Sequence, residues 1–288
     1  MLAYPNTKVE RGRGMNSADV QTTLIYVREP TSELAIYNYR PGPDDPDLSG
    51  QYEEPAYLEY PVEIKDIRGH KQRFSLEDAG LQVISHVSAI DDYYDDKKVR
   101  GIYMPEMEAL VKRVTGALRV HAFDYNVRCQ AYSEQKVHMA RMPVRFVHND
   151  YTDTSGPQRV RDLMGDESEA LLKRRFAVIN VWKPIVGPVQ RTPLAVCDAR
   201  SLEPGDLIDT SLLYRDRIGQ IQLASHRPGH RWYYLSNMQA DEALLLKCFD
   251  SARDGRARFT AHTAFDFVDT PADAPDRQSI EVRTLAFF

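Results

Sequence analysis

The sequence predicts a mainly β protein of the α+β class. We expect a double-stranded β-helix, that is, a cupin-like jelly roll, with flanking helices and a strand-rich N-terminal extension. Short runs rich in Val, Ile, Tyr and Phe recur along the C-terminal half, and these residue types suit strands. Turns containing Pro, Gly or Asp separate the runs, as in sandwiches and jelly rolls. Helical patterns do not follow each run, as a parallel α/β sheet would require.

The N-terminal third contains three predicted strands and one predicted helix. Residues 1–20 are mostly polar and aperiodic, which predicts a flexible arm. Pro105 stands in the first turn of a predicted helix. Apolar alternation predicts strands over 21–27, 33–39 and 56–64, with a loop rich in Pro, Asp and Gly at 41–50. The helix carries its apolar face on Met107, Leu110, Val111 and Val114.

The rest of the chain is dominated by predicted strands, with one helix within 157–173. All-β chains of this size often form one domain. We therefore expect a single domain over 21–288, whose double-stranded β-helix core spans residues 118–288. The predicted strands of this part cover 118–128, 144–150, 176–185, 194–199, 231–237, 243–250, 258–265 and 279–288.

The composition argues against several classes of protein. Asp and Glu outnumber Lys and Arg by 42 to 37, and no basic run is interleaved with aromatic residues, so nucleic acid is not an expected partner. No apolar window approaches the length of a membrane span or a signal-peptide core. We expect a cytoplasmic protein, monomeric or homodimeric, that acts on a small molecule. Its three cysteines, at 129, 197 and 248, lack CxxC spacing and are expected to be buried thiols.

A His-x-Asp motif at the end of a predicted strand is the first candidate for chemistry. His148 and Asp150 follow the apolar run VRFV and precede the polar loop YTDTSG. Residues i and i+2 of an extended strand point the same way, so both side chains can reach one ion. Two imidazoles and one carboxylate leave positions on iron(II) open for a bidentate co-substrate and O₂. From composition about one such motif is expected by chance, so the motif needs independent support.

That support comes from the segment after His262. Arg277 and Ser279 follow this histidine and form an Arg-x-Ser pair on one face of a predicted strand. A guanidinium provides a planar fork for a carboxylate, and a neighbouring hydroxyl adds one more donor. This is the pair that a 2-oxoglutarate site requires for the distal carboxylate, which makes His262 the preferred third ligand.

Two alternatives remain open at this point. His148 and Asp150 can belong to a turn in which the aspartate accepts backbone N–H bonds. The third ligand can instead be His226 or His230, with Arg231 as the clamp, although Arg-x-Ser follows neither histidine.

Several motifs, taken in order, resemble one known family. VHNDYTDTSGPQR, RRFAVINVWKPI, PLAVCDARS, HRWYYLSNMQADEALLLKCFDS and RFTAHTAF with RQSIEVR resemble the secondary-metabolism oxidoreductases that include the fungal gibberellin desaturase, a cercosporin-pathway oxidoreductase and the cephamycin 7α-hydroxylase component. The resemblance runs from about residue 120 to the end. It implies dependence on iron(II) and 2-oxoglutarate, with His148, Asp150 and His262 as ligands and Arg277 and Ser279 as the carboxylate clamp.

The expected activity is oxidation of an unactivated C–H bond of a small secondary metabolite by O₂, with release of succinate and CO₂. The outcome can be hydroxylation, desaturation or cyclisation. Asn180 is expected near the co-substrate because a buried amide needs a partner. Trp182, His226 and Tyr233 are candidates for the substrate pocket. The rival functions are a zinc-dependent hydrolase and a non-catalytic, cupin-like small-molecule-binding protein.

Overall fold

The structure is a computed structural model that describes residues 19–39, 51–136, 140–268, 270 and 273–288. Residues 1–18 of the predicted arm and the predicted loop at 41–50 lie outside the described residues. The helices, in chain order, are α1 (Asp96–Lys98), α2 (Met104–Thr115), α3 (Gln130–Glu134), α4 (Ser155–Met164) and α5 (Ser168–Leu172).

The described strands form two sheets, so the expectation of a mainly β fold is confirmed. One sheet has nine strands and the other has five. The nine are β1 (Val20–Val27), β2 (Leu34–Tyr37), β3 (Tyr57–Asp66), β6 (His148–Asn149), β8 (Leu194–Cys197), β9 (Leu207–Leu213), β10 (Ile218–Ala224), β11 (Trp232–Tyr234) and β13 (His262–Ala264). The five are β4 (Leu81–Ser85), β5 (Arg119–Arg128), β7 (Phe176–Pro184), β12 (Glu242–Asp250) and β14 (Ser279–Phe287). Neighbouring strands follow the order β1-β3-β11-β8-β13-β6-β10-β9-β2 in the larger sheet and β4-β12-β7-β14-β5 in the smaller one.

The five-stranded sheet is covered on both faces. Every residue of β7 and β12 is buried, so the apolar residues of these strands do not alternate with exposed ones. Alternate side chains of β7 enter two different clusters, since Val178 and Trp182 pack in one while Ile179 packs in another. The second cluster includes Met107, Leu110 and Val111 of α2, with Val114 partly buried against it, so the predicted helix face is confirmed.

The nine-stranded sheet curls back on itself. β1 pairs with β3 along its whole length, yet Ile25 also bridges Phe146, just before β6, and Val27 bridges Ser225, just after β10. The curled strands enclose a third cluster that includes Tyr26 and Trp232. The opposite side of β6, β8 and β13 faces the five-stranded sheet. The candidate site lies between the two sheets.

Several predicted elements differ in extent. The strand predicted over 144–150 pairs regularly only at His148–Asn149, and Pro143, which precedes it, cannot donate to a ladder. The strand predicted over 258–265 is confined to His262–Ala264. The helix predicted within 157–173 is two helices, because Gly165 adopts a positive φ of 52° between them. No described helix combines the length and apolar character needed to cross a bilayer.

Three strands were missed. β4 is short, while β9 and β10 form a hairpin whose sequences, LIDTSLL and IGQIQLA, carry many polar residues. β10 pairs with β6 at Leu223 and His148, so a missed element supports the candidate site directly. The cysteines are free and buried, as expected.

Candidate metal centre

Three side chains singled out in the sequence converge between the sheets. His148 and His262 are direct partners in the register of β6 and β13, and partners in this position share one face of a sheet. One ligand atom from each histidine and one from Asp150 all lie within 4.8 Å of one another. In the part of the chain that the structure describes, no other group of His, Cys, Asp and Glu meets this condition.

The tautomer of both imidazoles is fixed by backbone carbonyl groups. His148 Nδ1 lies 3.0 Å from the Phe146 carbonyl oxygen, and His262 Nδ1 lies 3.0 Å from the Thr260 carbonyl oxygen. A carbonyl oxygen only accepts, so each Nδ1 carries the proton and donates it. Each Nε2 therefore presents its lone pair to the space between the rings, as metal-binding histidines do.

Asp150 is oriented by two donors that share one of its oxygens. Asn180 Nδ2 donates to Oδ2 at 2.7 Å and Arg283 Nε donates to the same oxygen at 3.2 Å. Oδ1 is left facing the histidines, 3.7 Å from His148 Nε2. The carboxylate is thus held with one oxygen anchored and the other available to a metal.

Electrostatics favour the protonation states that a divalent metal requires. Burial, followed by the neighbouring His262, lowers the pKa of His148 to about 3, so this imidazole is neutral near pH 7. Burial alone would raise the pKa of Asp150, but Arg283 and the Asn180 hydrogen bond help to bring it below its ordinary value. The site therefore combines neutral imidazole with an ionised carboxylate.

A narrow cavity adjoins the two histidines and is lined by both polar and apolar side chains. His148, His262, Trp182, Leu194, Arg277 and Glu281 line it. Within the described residues, the buried atoms without a hydrogen-bond partner include Asn180 Oδ1, Arg277 Nε and Ser279 Oγ. Such atoms are rare in proteins. Arg277 belongs to the lining of the cavity, and Ser279 stands opposite Arg128, another lining residue, in the register of β5 and β14. These two donors indicate that the cavity receives a polar ligand.

Arg277 is the buried cation of this cavity. Its Nη1 donates to the Thr192 carbonyl oxygen at 2.7 Å, and its guanidinium lies 5.4 Å from the Trp182 ring centroid. Burial, followed by the charge of Arg128, lowers the Arg277 pKa to about 9. A buried cation without a carboxylate is costly, and an anionic ligand would relieve that cost.

The alternative histidines lie elsewhere. His226 and His230 line a separate cavity of about 380 Å³. His230 Nε2 is 3.0 Å from Asp206 Oδ2, and His226 stacks on Tyr60 with ring centroids 4.0 Å apart. Arg231, the alternative clamp, pairs with Asp198 instead. The alternative ligand set is therefore wrong, and His226 does not line the cavity beside His148.

Only one of the two adjacent tyrosines faces the space between the sheets. Tyr233 packs with Phe74 in the cluster that contains Trp182, at a ring-centroid distance of 4.7 Å. Tyr234 lies on the opposite face, in the cluster enclosed by the curled sheet. The candidate pocket role of Tyr233 remains a prediction.

Comparison with known proteins identifies the family. A sequence model described as "Oxidoreductase/YMDC permease-like domain" matches residues 24–287. The hydroxylase/desaturase efuI of Hormonema carpetanum is 32% identical over 95% of this chain and 97% of its own length. The Fe(II)/2-oxoglutarate-dependent dioxygenase nvfI of Aspergillus novofumigatus is 34% identical over 93% of this chain and 96% of its own length. The solved structure of the iron and alpha-ketoglutarate-dependent endoperoxidase NvfI superimposes with a TM-score of 0.82 at 31% identity, covering 93% of this chain and 98% of that one.

The chain belongs to this family of iron(II)- and 2-oxoglutarate-dependent oxygenases. The resemblance noted from the motifs is thereby confirmed. It extends further than the motifs indicated, because the match to the oxygenase family also covers most of the N-terminal third.

Two residues of the oxygenase escaped prediction as part of the site. Arg283 pairs with Glu281, two residues before it on the same strand, at 3.5 Å. Arg283 also contacts Asp150, which its position four residues after Ser279, on the same strand face, could have indicated. Arg128 lines the cavity as well, but no signal in the sequence pairs β5 with β14.

Proposed function

We propose that this oxygenase holds iron(II) through His148 Nε2, Asp150 Oδ1 and His262 Nε2. With 2-oxoglutarate and O₂, it would oxidise an unactivated C–H bond of a small secondary metabolite. The observation that carries the proposal is the convergence of these atoms with the tautomers fixed, beside the partnerless donors of Arg277 and Ser279. Two neutral nitrogens and one carboxylate oxygen on one face form the donor set that suits iron(II) in oxygenases.

Bound there, iron(II) would couple reduction of O₂ to the oxidative decarboxylation of 2-oxoglutarate, with release of succinate and CO₂, and to oxidation of the substrate. The chain supplies binding and orientation. Asn180 and Arg283 hold Asp150 so that Oδ1 faces the metal. Arg277 and Ser279 receive the distal carboxylate of 2-oxoglutarate. Trp182 forms a wall of the same cavity and excludes water from it.

The finer architecture is part of the same proposal. We infer that the two facing sheets form a double-stranded β-helix with its core at 118–288, within one domain over 21–288. Location in the cytoplasm, a monomeric or homodimeric state and the absence of a nucleic-acid partner remain predictions. The proposed link between Asn180 and the co-substrate would use the second N–H of its Nδ2, because 2-oxoglutarate presents only acceptor oxygens and the first N–H donates to Asp150.

A zinc-dependent hydrolase is a weaker proposal for the same three ligands. Zinc-activated water would use the metal position, but it would leave Arg277 and Ser279 without a function. A binding protein without catalysis would likewise not require open metal positions beside a buried guanidinium.

The direct test is succinate release from 2-oxoglutarate by protein loaded anaerobically with iron(II) and then exposed to air. We expect succinate above the metal-free blank. His262→Ala should abolish both succinate release and iron retention. His226→Ala is the matched control, because it removes an imidazole from the separate cavity, and it should retain iron. No succinate from the wild-type protein, or loss of iron only in His226→Ala, would reject the assignment.

A further inference from the structure

A second arginine faces the cavity that contains Arg277. Arg128 is the last residue of β5, and it stands directly opposite Ser279 in the register of β5 and β14. Residues in this relation have Cβ atoms about 4.5–5.5 Å apart and share a face of the sheet. Arg128 lines the same cavity as His148, His262 and Arg277. The guanidinium therefore lies beside the hydroxyl and the cation proposed to bind the distal carboxylate.

Most side-chain donors of Arg128 have no hydrogen-bond partner in the part of the chain that the structure describes. Its Nη1 donates to the Met142 carbonyl oxygen at 2.6 Å, and this is its one side-chain hydrogen bond within the described residues. The carboxylate of Glu281 lines the same cavity and favours the charge of Arg128, but its ion pair is with Arg283, at 3.5 Å. Arg128 thus offers further N–H groups to a ligand.

Two guanidinium groups on one cavity repel each other unless an anion lies between them. The charge of Arg128 is, after burial, the main factor that lowers the Arg277 pKa. Among the described residues, Arg277 Nε and Ser279 Oγ have no hydrogen-bond partner. A carboxylate has two oxygens and about four acceptor positions, so one carboxylate can accept from both arginines and from the serine.

We propose that Arg128 completes the pocket for the distal carboxylate of 2-oxoglutarate, which is then held by two arginines, Arg128 and Arg277, together with Ser279. This inference rests on the proposed function, because it assigns a further residue to the same co-substrate. Arg128 is a binding residue: it contacts the end of 2-oxoglutarate that stays unchanged in the reaction and takes no part in metal binding.

The test compares two oxo acids on wild-type protein and on Arg128→Met. Anaerobic iron(II) protein is titrated with 2-oxoglutarate and with 2-oxopentanoate, which has the same chain length but no distal carboxylate. The readout is the visible charge-transfer absorption of iron(II) chelated by a 2-oxo acid. We expect Arg128→Met to weaken the binding of 2-oxoglutarate at least about tenfold, or about 1.4 kcal/mol. The binding of 2-oxopentanoate should be unchanged. Arg119→Met is the matched control on β5, because Arg119 pairs with the exposed Glu167 outside the cavity; it should change neither affinity.

Each other outcome has a definite meaning. Unchanged 2-oxoglutarate affinity, or equal weakening of both oxo acids, would overturn the role of Arg128 while leaving the proposed function intact. Failure of both oxo acids to bind iron-loaded wild-type protein would overturn the proposed function and this inference with it. If Arg128→Met loses iron as well, Arg128→Lys decides. The lysine keeps the positive charge but lacks the planar guanidinium fork. This variant should therefore weaken the binding of 2-oxoglutarate but not that of 2-oxopentanoate.

Discussion

Replacing Arg283 by methionine should destabilise the metal-free protein by about 3 kcal/mol, at the lower end of the range for breaking a buried ion pair. The side chain of Arg283 is 19% exposed and that of Asp150 is 8% exposed, so the carboxylate would lose its cation in a poorly solvated place. The loss falls at the lower end because Asn180 still donates to Oδ2 at 2.7 Å. Arg283→Met also removes the pair with Glu281, whose side chain is 8% exposed. The contact with Asp124 adds little, since that side chain is 49% exposed and exposed pairs contribute about 0–1 kcal/mol.

The assay is denaturant unfolding in the presence of a chelator, which keeps the site free of metal. Arg161→Met is the control, because Arg161 pairs with Glu169 where the side chains are 46% and 68% exposed; we expect a change below about 1 kcal/mol. If Arg283→Met unfolds at the same denaturant concentration as Arg161→Met, Arg283 does not stabilise the Asp150 carboxylate, and its proposed orienting role fails.

Two further predictions concern other buried polar groups. Asn180→Ala removes the amide that anchors Asp150, and cobalt(II) titration should show metal affinity reduced about 10–100-fold; unchanged affinity would exclude an orienting role. Asp250 is fully buried between Arg175 and Lys247. Burial raises its pKa, but the hydrogen bond from Arg175 and the charge of Lys247 outweigh burial and lower it. A lowered folded pKa stabilises the protein above the unfolded value of about 3.9, and this stability is lost as the pH falls through the folded value. The free energy of unfolding of Asp250→Asn should therefore be lower than that of wild type at pH 7, and the difference should shrink as the pH falls. Urea midpoints of the two proteins that stay equally far apart at all pH values would contradict this.

The sequence predicted which candidate residues lie together where the relevant information is local. His148 and Asp150 are two residues apart at a strand end, so their common direction follows from strand geometry. Asn180 and Trp182 alternate on β7, and both face the space between the sheets, as their spacing indicated. His262 was selected over its alternatives by the Arg277 and Ser279 that follow it.

The sequence was less informative where strands distant in the chain must pair. Arg128 lies opposite Ser279 only because β5 is the neighbour of β14, and no local pattern specifies that register. The β9–β10 hairpin was missed because buried positions on its strands hold polar residues such as Thr210 and Gln222, which hide the apolar alternation. Gln222 donates to Asp209 across the hairpin and accepts from Asn149 of β6, while Thr210 donates to the Ile208 carbonyl oxygen of its own strand. Both buried polar residues are therefore satisfied.

The most direct test of the metal assignment is a crystal structure of the anaerobic complex with iron(II) and 2-oxoglutarate, with anomalous data collected at the iron edge. We predict one iron peak within bonding distance of His148 Nε2, Asp150 Oδ1 and His262 Nε2, with the distal carboxylate of 2-oxoglutarate at Arg277. An iron peak beside His226 and His230, or 2-oxoglutarate bound away from Arg277, would contradict the assignment.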